Sequence, residues 1–121
     1  MQISEPVRKE FSNFLVAYAP LFSDRIKAAI PTFNYGFGVD GVHFRATFSR
    51  SSASNGYELV FEESSFDPHT ARISCSLAKD GSLSLITATN INVPRVERVF
   101  HAFQHTVKRS RDLLLKASQP S

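Results

Sequence analysis

His101 and His105 lie four residues apart among apolar residues spaced three and four apart, so on a helix their imidazoles share a face. Two imidazoles at that spacing can hold a divalent metal once a third or fourth ligand joins them. Ala102 stands where a zinc-peptidase helix carries a glutamate, and no further ligand is set beside the pair. The two histidines therefore read as polar flanks of an apolar stripe. Cys75 alternates with Ile73 and Leu77, which places its thiol on the inward face of a strand, where cysteine is inert packing. Glu58, Glu62 and Glu63 offer carboxylates for acid–base work, but Glu58 and Glu62 share the polar face of a strand, where solvated charges are ordinary. Gly36-Phe37-Gly38-Val39-Asp40-Gly41 matches the dinucleotide pattern G-x-G-x-x-G in letters, yet the following residues alternate like a strand where that site needs a helix N-terminus. No G-x-S-x-G is present. No catalytic set emerges, and neither a metal nor a cofactor is expected.

Two other features point to binding. The outer face of the expected sheet collects small or apolar residues, namely Gly36, Gly38, Ser74, Ser76, Ser84, Val60 and Ile86. His43, Arg45, Glu58, Glu62 and Arg72 sit among them. Small side chains let another backbone or sheet approach closely. The first expectation is therefore a non-enzymatic module that docks a partner protein, or a second copy of itself, through this face or the hairpin edges. The second feature is the basic C-terminal segment. Between Arg95 and Lys116 there are six basic residues against two acidic ones, whereas the rest of the chain is close to neutral. Arg95, Arg98, Lys108, Arg109 and Arg111 give an alternative reading as a nucleic-acid interface, since phosphate affinity needs clustered cations on one exposed face. The aromatic residues that could stack on bases are expected to be used by the core.

These residues must be positioned by the elements around them. Ser4 is a good N-cap, and Val7, Phe11, Phe14, Leu15 and Tyr18 recur at helical spacing. Pro20 is expected to kink or restart this helix, a second piece to run to about Ala29, and Pro31 to end it. Phe33, Tyr35, Phe37 and Val39 then alternate with polar or small residues, as do Val42, Phe44, Ala46 and Phe48. Asp40-Gly41 between them signals a two-residue hairpin pairing Val39 with Val42 and Phe37 with Phe44. After a polar loop at Arg50–Gly56, Tyr57, Leu59 and Phe61 make a third strand. A second loop at Ser64–His69 leads to Ile73, Cys75 and Leu77, then Leu83 and Leu85. A three-residue Lys79-Asp80-Gly81 loop would pair Leu77 with Leu83 and Cys75 with Leu85. Asn90 or Asn92 can cap a last helix with Pro94 in its first turn, running to about Lys116, with Ala117–Ser121 as a frayed tail.

The expected fold is α+β: an antiparallel sheet of about five strands with the N-terminal and C-terminal helices packed on one face, residues 1–121 forming a single domain. A sheet rolled around the last helix is the alternative. Composition agrees, with 42% hydrophobic and 21% charged residues, eleven Phe and no Trp. One cysteine, a charged first stretch without an apolar core, and no long apolar run make a cytoplasmic location the expectation. The element order resembles that of small bacterial type III secretion chaperones, which add a middle helix after three strands, dimerise and bind unfolded effector segments. No residue motif carries that resemblance. The Ser64–His69 connector is short for a middle helix, and the last helix is basic where theirs tends to be acidic. No family is assigned on it, and small immunity or inhibitor proteins share the same size and lack of chemistry.

Overall fold

Two Asp-Gly dipeptides set the hairpins in the computed structural model, which describes residues 3–28, 32–50, 56–64 and 70–118. Strands β1 (Thr32–Val39) and β2 (Val42–Arg50) meet at Asp40 and Gly41, with φ of 50° and 79°. Positive φ at both central residues is what a two-residue turn between twisted strands requires. The pairing is Val39 with Val42, Phe37 with Phe44, Tyr35 with Ala46 and Phe33 with Phe48, as the alternation predicts. Strand β3 (Tyr57–Glu63) follows, then β4 (Arg72–Leu77) and β5 (Leu83–Thr89). All five form one antiparallel meander in the order β1-β2-β3-β4-β5. At the last hairpin Gly81 N–H donates to the Ala78 carbonyl at 2.9 Å and Ala78 N–H to the Ser82 carbonyl at 2.8 Å. Gly81 has φ of 93°, so the three-residue loop is the one expected.

The register beyond that turn departs from expectation. Leu77 pairs with Leu83, but Ser76 pairs with Leu85 and Cys75 with Ile86. Ser84 is the extra residue of a bulge, and its hydroxyl donates to the Ser76 carbonyl at 2.8 Å. One inserted residue inverts the faces of everything after it. Leu85, expected inside, points outward at 58% exposure, while Ile86 and Ala88 pack against the core. Ile86 therefore leaves the outer-face set and Leu85 joins it. Helix α1 (Glu5–Ala28) pins the bulge: Arg8 Nη2 donates to the Ser84 carbonyl at 2.9 Å, and Leu83 N–H donates to Ser12 Oγ at 3.1 Å.

Helix α1 also runs through Pro20 without a break. Proline removes one hydrogen bond there, the one to the Val16 carbonyl, and Val16 lies exposed where water can donate instead. Helix α2 (Val93–Ser118) is capped by Asn92, whose Oδ1 accepts from Arg95 N–H at 3.0 Å. It extends two residues past the expected end. Asn90 adopts φ of 59°, a left-handed conformation that asparagine tolerates. The Arg50–Gly56 and Ser64–His69 loops largely, and Ala29, Pro31 and residues 119–121 wholly, lie outside the described residues.

Both helices cover the same face of the sheet, where Phe, Leu, Ile and Val side chains form one core. Phe11 of α1 stacks on Phe100 of α2 with centroids 4.1 Å apart, and both reach Phe61 of β3. Phe103 is the hub, meeting Phe14, Tyr35 and Phe61 edge to face at 5.1–6.3 Å. Truncating a fully buried phenylalanine removes its transfer free energy and leaves a cavity. Phe103→Ala is expected to lower stability by about 3–5 kcal/mol, read as a shifted urea midpoint at unchanged slope, with Phe103→Leu recovering much of the loss.

Candidate functional site

The uncovered face of the sheet resolves into cross-strand rows. In one, Gly36, Arg45, Glu62 and Arg72 stand side by side across four strands. Glu62 lies between two guanidinium side chains in register, and Arg72 Nη1 reaches its Oε1 at 3.3 Å. In the next, Thr47, Val60, Ser74 and Thr87 stand side by side. In the third, Ser49, Glu58, Ser76 and Leu85 do so. The middle row is low, made of small and β-branched residues, and the long charged side chains rise beside it. Val60 is only 8% exposed although it points to the bare face. Glu58 on one flank accepts from Ser74 Oγ at 3.2 Å. The result is a shallow trough with charge on its rims and Leu85 exposed at one end.

The glycine end of this face is lower still. A Cβ on Gly36 would lie 3.0 Å from His43 Cε1, so the imidazole sits over the missing side chain. A Cβ on Gly38 would meet nothing within 4 Å, and its φ is not in the left-handed region. Gly56 makes the contrast: a Cβ there would overlap the Leu77 carbonyl oxygen, so packing demands glycine. Nothing among the described residues demands one at Gly38, where glycine weakens a strand by about 0.5–1 kcal/mol relative to alanine.

Of the five cations of the alternative reading, Arg95 and Arg98 lie against carboxylates of the same chain. Arg98 Nε donates to Asp40 Oδ2 at 2.8 Å, joining α2 to the first hairpin turn. Arg95 sits 5.5 Å from the Phe44 ring centroid and 3.8 Å from Glu63 Oε2. Glu63 also accepts from Ala71 N–H at 3.3 Å. Lys108 and Arg109 are exposed further along α2, and Arg111 lies on the helix with its side chain outside the described residues. Two of the four described cations are thus held by carboxylates of the same chain.

The remaining chemistry-bearing residues are dispersed. Glu58, Glu62 and Glu63 each have their own partners, and Glu63 faces the helices while the other two face away. Among the described residues no three His, Cys, Asp or Glu side chains gather as a metal site. No helix among them is long and apolar enough to cross a membrane. The G-x-G-x-x-G stretch is strand, turn and strand, with no helix following it. Comparison with protein families, curated proteins and solved structures returned no match, so no family is assigned.

Sequence reasoning missed Leu85, because alternation cannot reveal a bulge, and it missed Thr47 and Thr87, whose place in the trough depends on register across strands. It placed Cys75 correctly: the residue is 0% exposed. Burial pushes its thiol from the ordinary 9.0 up to about 12, with Arg8 acting in the opposite sense. The folded chain is therefore expected to resist a thiol reagent at pH 8 and to react only when unfolded. The unfolded thiol ionises first on raising pH, so this contribution to stability is complete below pH 9 and declines between pH 9 and about 12. Cys75→Ala should flatten that decline in alkaline urea titrations.

Proposed function

We propose that this protein is a non-enzymatic binding module whose uncovered sheet face docks a partner protein, either a different chain or a second copy. The observation that carries the reading is Gly38. The strand gives up stability there for an open space that none of the described residues fills. An approaching backbone or side chain accounts for that space, because only glycine leaves the strand surface bare. The trough of Thr47, Val60, Ser74 and Thr87 extends the low surface across the sheet. Arg45, Glu62, Arg72 and Glu58 supply charges of both signs on its rims, suited to orienting a partner. Leu85, exposed at 58%, offers an apolar anchor at the trough end.

The face is favoured over the β5 edge, since side chains from α1 already occupy Leu83 N–H and the Ser84 carbonyl there. It is also favoured over the basic helix, where Arg95 and Arg98 have carboxylate partners.

Gly38→Arg places a long side chain in open space, so the melting temperature is expected to stay close to wild type. The full chain is tested for self-association by sedimentation, and immobilised for capture from a lysate of its source. Affinity for the species found is then measured calorimetrically. Gly38→Arg and Leu85→Ala are each expected to weaken it at least about tenfold, in line with loss of a central interface residue. A Lys79→Ala control should leave it unchanged. Affinity that ignores both face substitutions overturns the reading. Salt-sensitive nucleic-acid binding lost in the Lys108→Glu, Arg109→Glu double variant would transfer the function to α2.

A further inference from the structure

Helix α2 carries His101, Gln104, His105 and Lys108 at positions i, i+3, i+4 and i+7, which lie on one face. With Glu10 of α1 they line a groove of about 360 Å³ between the two helices. Gln104 is the unusual member. It is 4% exposed, the one buried polar side chain among the described residues, and its Nε2 has no hydrogen-bond partner. A buried amide donor left unpaired costs about 1–3 kcal/mol, and an apolar residue at this margin of the stripe would avoid that loss. The donor is explained if an acceptor reaches it from the groove.

The other walls define that acceptor. Lys108 Nζ lies 5.9 Å from the Phe14 ring centroid, which places the exposed ammonium at the mouth of the groove. His105 adds a ring nitrogen on the same side. Among the described residues Glu10 is the one carboxylate in the lining, and His101 Nε2 lies 3.8 Å from its Oε2. An ammonium beside the imidazoles disfavours a bound cation. The groove therefore presents a cation and a buried amide donor at one end, and at the other a carboxylate beside an imidazole.

We propose that this groove binds a small oxyanion, the phosphate or carboxylate group of a small molecule, with Gln104 Nε2 and Lys108 Nζ as its principal donors. The proposal does not depend on the docking face, which lies on the opposite side of the sheet. An organic body on the ligand would extend along the open groove, where Glu10 can accept from a hydroxyl or amine on it.

The test is an NMR titration of the full chain with inorganic phosphate, with acetate in a second arm and chloride at matched ionic strength in a third. The Gln104 side-chain amide is the readout, together with the backbone amides from Ala102 to Lys108. Saturable shifts with phosphate or acetate, absent with chloride, are expected, and whichever arm binds more tightly identifies the oxyanion. Lys108→Gln and Gln104→Leu should each weaken the affinity about tenfold or more, the scale of losing a charge-assisted hydrogen bond. Lys108 is exposed, so its substitution tests the site without endangering the fold. Shifts no larger than those of chloride, or affinity equal in wild type and both variants, overturn the proposal.

Discussion

The stacking of Phe11 on Phe100 over Phe61 is the contact on which the rest of the molecule depends. It joins the first helix, the last helix and the central strand at one point. Phe11, Phe44, Phe61, Phe100 and Phe103 are all fully buried. Each contributes about 1.5–3 kcal/mol of burial, whereas the exposed ion pairs of this chain contribute about 0–1 kcal/mol apiece. The aromatic interface therefore decides the architecture, and the charges adjust to it. Phenylalanine suits this role because it has no polar atom to satisfy in a dry layer. Concentrating these rings on one side of the sheet draws both helices there, and the other side is left bare for the same reason.

Much of this was legible in the residues. The alternation around Asp40-Gly41 and the helical spacing of Val96, Val99, Phe100, Phe103 and Val107 are periodic signals, and each predicted its element and its inward face. What failed was whatever depends on a break in periodicity. The bulge at Ser84 exchanges Leu85 for Ile86 on the core side. Leu83 and Leu85 alternate as convincingly as Ile86 and Ala88, so only the hydrogen bonds from Arg8 and to Ser12 reveal where the phase changes. At Pro20 the helix continues where a restart was one of the two expectations: a single missing hydrogen bond beside the exposed Val16 leaves α1 in one piece.

Charge shows the same limit. The cations of α2 form a run in sequence, and a run suggests a surface for phosphate. Folding sets Asp40, 58 residues earlier, against Arg98, and Glu63 against Arg95. No local pattern carries those pairings, because they arise from the hairpin turn and the β3 end meeting the first turns of the helix. Gln104 is the counterpart on the uncharged side. Its sequence position at the margin of the stripe left burial undecided, and only the packing of α1 beside α2 encloses it with an unmet donor.

Of the surfaces a five-strand sheet can offer, this fold closes most. The helices cover one face. Arg8 and Ser12 take up backbone groups at the start of the β5 edge, which limits pairing with another strand there. The Arg98–Asp40 pair fastens the first hairpin turn to α2. What stays open, beside the β1 edge, is the face where Gly36 and Gly38 keep the surface low, and where His43 lies over the gap at Gly36. Gly41, Gly56 and Gly81 are each explained by a turn or a close approach within the chain. Gly36 is explained by His43, whose ring would otherwise have to move. Gly38 has no such explanation among the described residues, and the surface it opens is the one the helices leave uncovered.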